Sequence, residues 1–217
     1  MSQQACRYWA VCSGLVLLFF SPMCVSQSVV ALCFVATLGG ALVYTQGRED
    51  GQWTMPAKNY AGTRYSGLAQ ITAANVARLK PVWSFSTGVL GGHEGQPLVV
   101  NRTMYVVTPY PNVLYAFDLT REGYPLKWKY RPDPNAAAIG IACCDTINRG
   151  PAYADGKVVY NLLDGHTVAV DADTGRELWK SKVAEIGDGE TTPMAPLVAK
   201  GKVFVGPSAA NSAFTAG

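Results

Sequence analysis

Beyond residue 48 the chain alternates between short apolar runs and clusters of Gly, Pro, Asn and Asp, a pattern that reads as strands and turns. The runs predict strands over Val82–Ser86, Pro97–Val100, Met104–Thr108, Val113–Leu119, Leu126–Tyr130, Lys157–Leu162, Thr167–Asp171, Glu177–Lys180, Leu197–Val198 and Lys202–Val205. They return at intervals of about ten residues, the spacing of an all-β fold. One helix is predicted among them, Thr72–Leu79, with Thr72 as its N-cap. The first 47 residues differ. No charged side chain lies between Arg7 and Arg48, and two apolar runs, Tyr8–Phe20 and Val29–Tyr44, fill that stretch.

The strands recur as a group. Pro97-Leu-Val-Val is followed by Val113-Leu-Tyr-Ala-Phe-Asp and then by Lys127-Trp-Lys. Pro151-Ala-Tyr-Ala-Asp-Gly is followed by Thr167-Val-Ala-Val-Asp-Ala-Asp-Thr-Gly and then by Leu178-Trp-Lys. A third unit begins at Pro196-Leu-Val-Ala-Lys-Gly. Trp83, Trp128 and Trp179 mark the last strand of successive units, 45 and 51 residues apart. A four-stranded unit with that period is a propeller blade. A β-sandwich is the competing arrangement, but the order of strand, turn, Asp and Trp repeats in register, which favours the propeller. The tryptophans are expected to be structural, with Ala169 small enough to lie under a ring.

Charge adds little and excludes one class. Charged residues make up 15% of the chain and the net charge is +3. No basic run interleaved with aromatics is present, so a nucleic-acid partner is not expected. The apolar leader, residues 1–47, is expected to be helical and has three readings: the hydrophobic region of a secretory signal, a membrane hairpin, or an over-extended start with Met23 or a neighbour as the true one. Export to the periplasm is the favoured reading, with the leader as signal or membrane anchor.

The candidate chemistry lies in Gly140-Ile-Ala-Cys-Cys-Asp-Thr-Ile-Asn-Arg-Gly150. Adjacent Cα atoms sit about 3.8 Å apart, whereas an ordinary disulfide spans roughly 4.4–6.8 Å. Cys143 and Cys144 are therefore either two small reduced hydrophobes or, if bonded, a strained rigid plate suited to a site.

The repeat together with this cysteine pair resembles the pyrroloquinoline quinone (PQQ) dependent alcohol dehydrogenases of the methanol/ethanol type. The resemblance runs from about Asp50 to Gly206. It is carried by Trp53-Thr-Met-Pro-Ala-Lys-Asn-Tyr-Ala-Gly-Thr-Arg-Tyr-Ser66, Phe85-Ser-Thr-Gly-Val-Leu-Gly-Gly-His-Glu-Gly95, Val107-Thr-Pro-Tyr-Pro-Asn112 and Ala142-Cys-Cys-Asp-Thr-Ile-Asn-Arg149. It implies an eight-bladed ring, of which residues 48–206 would form about three blades, an incomplete β-propeller. It also implies a vicinal disulfide between Cys143 and Cys144 as one face of the PQQ site, Arg149 near the quinone oxygens and Glu94 as a cofactor-binding carboxylate. Ca²⁺ or a lanthanide would act as Lewis acid. A primary alcohol would be the substrate, an aspartate the proton acceptor, and a cytochrome c or a quinone the electron acceptor.

Two departures from that family qualify these expectations. Pro193 stands where the family commonly has a cofactor-bonding Thr, leaving Thr192 as the adjacent hydroxyl. Ser208-Ala-Ala-Asn-Ser-Ala-Phe214 stands where the family has a Ser-Gly-Gly-Glu-Phe-Gly-Val type run, which puts Asn211 in the slot of a metal-ligating Glu. Deleting one G after a TCG codon converts the second run into the first. The expectation is therefore a frameshifted tail over 207–217, with the catalytic base and most metal ligands absent and the chain inactive alone. A non-catalytic propeller-type binding or scaffold protein is the alternative reading.

Overall fold

In a computed structural model describing residues 8–12, 15–19, 51–142 and 145–209, the start of the chain forms strands β1 (Tyr8–Cys12) and β2 (Leu15–Phe19). They pair antiparallel, with Tyr8 opposite Phe19 and Cys12 opposite Leu15. The helical expectation is thus corrected for these residues. Their sequences carry Tyr, Trp, Val and Phe, residue types that favour strands. The second apolar run of the leader lies outside the described residues. Among the described residues no helix is long and apolar enough to cross a membrane. The chain divides into two units, Met1–Arg48 and Glu49–Gly217.

The second unit holds twelve further strands among the described residues. The first eight are β3 (Leu98–Val100), β4 (Thr103–Val107), β5 (Leu114–Asp118), β6 (Leu126–Tyr130), β7 (Ala152–Ala154), β8 (Lys157–Asn161), β9 (His166–Asp171) and β10 (Glu177–Lys182). The last four are β11 (Glu190–Thr191), β12 (Leu197–Ala199), β13 (Lys202–Phe204) and β14 (Ser208–Ala209). Strands β3 to β6 form one four-stranded antiparallel meander and β7 to β10 another. A third unit opens with the β12–β13 hairpin. The propeller reading of the repeat therefore holds, with two full blades and the beginning of a third among the described residues.

Two expected elements differ. The helix Thr72–Leu79 reduces to turns and a single 3-10 turn, Val76–Arg78. None of its residues is buried, and Val76 and Leu79 remain exposed, so no apolar face docks to favour a longer helix. Val82–Ser86 is not a strand. Its aromatics instead pack on the outer side of the first blade, with Trp83 edge-on to Phe117 at 4.9 Å and Phe85 edge-on to Phe117 at 4.8 Å.

The main core lies between the two blades. Leu98, Tyr105, Val107, Leu114 and Ala116 of the first meet Val158, Tyr160, Val168 and Val170 of the second, all buried. Alternation along the strands sends these residues to one side and their neighbours to the other. Trp128 is the joint. It sits opposite Ala116 in its own blade, just as Trp179 sits opposite Ala169 in the next. Its Nε1 donates to the carbonyl of Ala172 across the interface at 3.2 Å, and the Tyr105 hydroxyl donates to the same oxygen at 3.2 Å. A Cβ at Gly175 would stand 2.6 Å from the Trp128 ring. The glycine of the Asp-Thr-Gly turn is thus required twice, for a positive φ of 75° and for contact with the indole. Burial pushes the Tyr105 phenol up to about 12, so it stays a donor at any ordinary pH.

Each blade closes its third strand with the same device. Asp118 accepts hydrogen bonds from the amide and hydroxyl of Thr120, and Asp171 from the amide and hydroxyl of Thr174 and the amide of Asp173. These bonds favour the ionised form and hold both carboxyls below their usual value of 3.8. A depressed folded-state pKa gives stability that is complete above the unfolded value and is lost as pH falls through the folded one. Replacing Asp118 and Asp171 together by Asn is expected to flatten the acid limb of stability, read as the urea midpoint between about pH 6 and about pH 3. The variant should lose midpoint most near pH 6, where both carboxylates are ionised, and converge on the unmodified protein as pH falls through the folded-state values.

Candidate functional site

The loops that enter the first strand of each blade converge. Glu94 to Gln96 lead into β3, Asn148 to Gly150 into β7, and Thr192 to Pro196 into β12. Their backbones are joined directly. The Gln96 amide donates to the Arg149 carbonyl at 3.4 Å, and the Arg149 amide donates to the Pro193 carbonyl at 2.9 Å. Arg149 is therefore fastened on both sides before its side chain is considered.

Two glycines permit the approach. A Cβ at Gly95 would lie 2.9 Å from the Asn148 carbonyl oxygen, and one at Gly150 would lie 2.8 Å from the Gln96 carbonyl oxygen. Gly150 also has φ 108°. Buried asparagines complete the frame. Asn148 donates to the Asn161 carbonyl at 2.8 Å and accepts from the Gly150 amide at 2.9 Å. Asn161 donates to the Met194 carbonyl at 2.7 Å and accepts from the Thr167 hydroxyl at 2.8 Å. Among the described residues no buried side-chain nitrogen or oxygen lacks a partner, so these amides act as brackets rather than as free ligand donors.

The side chains of Glu94 and Arg149 meet at 3.4 Å, each about half exposed. An ion pair so open to water contributes at most about 1 kcal/mol, so the backbone rather than the pair sets the position of Arg149. Both groups keep the capacity to bind something else. Beside them, Gly92 separates two carboxylates. Its missing Cβ would stand 3.4 Å from Asp145 Oδ2 and 3.8 Å from Glu94 Oε1.

Arg149 borders two cavities. The smaller, about 130 Å³, is lined by Ala142, Asp145, Ile147, Thr191, Pro193, Met194 and Ser208 in addition to Arg149. The larger is a cleft of about 450 Å³, in the usual range for small-molecule sites. Its polar members are Glu94, Gln96, Arg149, Asn59 and Arg64, and Met55, Pro56, Met194 and Leu197 are among its apolar ones.

The structure thus brings Glu94 and Arg149 together. Thr192 it places elsewhere. That residue is fully buried, its hydroxyl donates to the Leu162 carbonyl at 2.5 Å, and Thr191 faces the smaller cavity instead. The alternation of side chains along an extended stretch is the signal that separates the two threonines. Cys143 and Cys144, with the disulfide expected between them, and Asn211 lie outside the described residues. Ala142 and Asp145, which flank the cysteines in sequence, both line the smaller cavity. His93 is occupied within its own loop, contacting the Thr87 hydroxyl and the Gly91 carbonyl at 3.1 Å each. Asp145, Thr191, Ser208, Gln96 and Arg64 were not legible as site residues.

Gly150→Ala should lower stability by about 2 kcal/mol or more, because it adds both a forbidden φ and a backbone collision. Gly156→Ala, with φ 73° but open space around its Cβ, should cost about 1 kcal/mol. Denaturant melts of the two variants check the difference.

Comparison with known proteins bears directly on this geometry. Residues 53–180 match the family model "PQQ: Glucose/ethanol/alcohol dehydrogenase, beta-propeller domain". The chain is 58% identical over 161 residues to a lanthanide-dependent methanol dehydrogenase of Methylacidiphilum fumariolicum, covering 74% of this chain and 26% of that protein. It is 43% identical over 210 residues to the methanol dehydrogenase [cytochrome c] subunit 1 of Methylobacterium organophilum, covering 94% of this chain and 32% of the relative. Among solved structures it resembles a europium-containing methanol dehydrogenase, with a TM-score of 0.73 and 57% identity over 75% of this chain and 28% of the other. The chain thus spans about a quarter to a third of the length of these relatives.

Proposed function

The chain belongs to the PQQ glucose/ethanol/alcohol dehydrogenase β-propeller family, and from that premise we propose that its convergent loops hold PQQ for the oxidation of a primary alcohol. The observation that carries this reading is the placement of Arg149. Its guanidinium is presented beside Glu94 at the meeting of two cavities by a backbone fastened to both neighbouring loops. PQQ is a flat tricarboxylated ortho-quinone, and the donor set fits such a molecule. A planar guanidinium can bond carboxylate or quinone oxygens through two parallel N–H groups, which an ammonium cannot. The apolar walls from Met55, Pro56, Met194 and Leu197 suit a flat ring system.

When bound, PQQ supplies a quinone that accepts the two electrons released from the alcohol. The part assigned to these residues is orientation and charge. Arg149 anchors the polar rim, Glu94 offers a carboxylate beside it, and the close approach at Gly95 and Gly150 holds the backbone of both loops in register. Cys143 and Cys144, as a disulfide, belong to the same reading as a flat platform, a role supported by the cavity positions of Ala142 and Asp145 on either side of them. Ca²⁺ or a lanthanide completes the site, and Asn211 stands in the slot of one metal ligand. Methanol is the alcohol class that the relatives' names support, and cytochrome c the acceptor class. Export to the periplasm belongs to the same reading, supported by the uncharged stretch between Arg7 and Arg48.

Titration of the purified protein with PQQ and Ca²⁺ should give a saturable bound-quinone absorbance change. Arg149→Lys should weaken binding by about tenfold or more, since it removes the planar fork. Absence of a saturable change in the unmodified protein would leave the propeller as a scaffold and overturn the cofactor assignment.

A further inference from the structure

The segment ahead of the first blade is tied to all three units. Trp53 and Val99 exchange two backbone hydrogen bonds, of 2.7 and 3.2 Å. The Thr54 carbonyl accepts from the Tyr153 amide at 2.8 Å, and the Tyr60 hydroxyl donates to the Val198 carbonyl at 2.6 Å. These three partners lie on β3, β7 and β12, the first strands of successive units. The segment then turns back on itself. Lys58 donates to Met55 at 2.8 Å, Gly62 to Asn59 at 2.9 Å and the Arg64 amide to Ala57 at 3.3 Å. The return leaves Arg64 in the left-handed region at φ 49° and on the wall of the larger cleft, with Glu94, Gln96 and Arg149.

The charge balance of the cleft makes Arg64 informative. Arg149 already faces Glu94. Arg64 forms no ion pair with any described residue, so the cleft holds two guanidiniums against one carboxylate. A ligand with several carboxylates would correct that excess. We propose that Arg64, delivered by the leading segment, is a second cationic anchor for a carboxylate of PQQ in this cleft. The inference rests on the assignment of PQQ made above and extends it to a residue outside the blades.

The test is PQQ titration, followed by absorbance or fluorescence quenching at low and high salt, of the unmodified protein and of Arg64→Gln, Arg64→Lys and Arg78→Gln. Arg78 lies in the exposed 3-10 turn away from the cleft and serves as a control. Arg64→Gln should bind about tenfold more weakly and with a shallower salt dependence. Arg64→Lys should recover part of the affinity, and Arg78→Gln should match the unmodified protein. Circular dichroism checks that each variant is folded. Binding by Arg64→Gln equal to that of the unmodified protein, with the same salt dependence, overturns this inference alone. Failure of the unmodified protein to bind PQQ overturns the cofactor assignment and this inference with it.

Discussion

Everything functional in this chain depends on one backbone crossing, where the Gln96 amide, the Arg149 peptide and the Pro193 carbonyl link the entrance loops of three successive units. The crossing exists because two residues lack a Cβ. Gly95 and Gly150 let chains approach to distances that any side chain would forbid. The guanidinium of Arg149 inherits its position from that contact. Its ion pair with Glu94 is too exposed to impose one. A rigid backbone below and a solvated pair above is an arrangement that can hold an anionic ligand without first breaking a strong internal bond.

The blades supply the rigidity. Between them Trp128 and Tyr105 direct their polar atoms to one carbonyl, that of Ala172, while their rings fill the interface. Asn112 and Asn148 carry the same logic toward the site. Asn112 accepts from the Leu163 amide at 2.9 Å, and its carbonyl accepts from the buried Tyr160 hydroxyl at 2.9 Å. Buried polar groups that are fully bonded specify one arrangement of loops. A cofactor face built from loops needs that kind of support.

Much of this was legible in the sequence, for physical reasons that can be named. The blades followed from strand spacing and from the recurring Trp, whose pairing with Ala116 and Ala169 came out in register. Arg149 and Glu94 were singled out by motif resemblance, and the fold sets their side chains 3.4 Å apart. Val82–Ser86 has the composition of a strand, yet its aromatics serve the outer packing of the first blade. Thr192 was preferred for its hydroxyl, but extended backbone sends that hydroxyl inward and Thr191 toward the cavity. Arg64 could not have been chosen from sequence, because only the return of the leading segment across three strands brings it to the cleft. The leader was expected to be helical from its apolar run alone, which carries no period that tells helix from strand, and its described part is a strand pair.

Amide hydrogen exchange at Gln96 and Arg149 tests the central claim most directly. If the crossing is the fixed point of the site, both amides exchange as slowly as those of β8 and β9 in the adjoining blade. Exchange at Arg149 as fast as in the exposed turn 120–124 would contradict the account, since a loosely held arginine could not define a cofactor site.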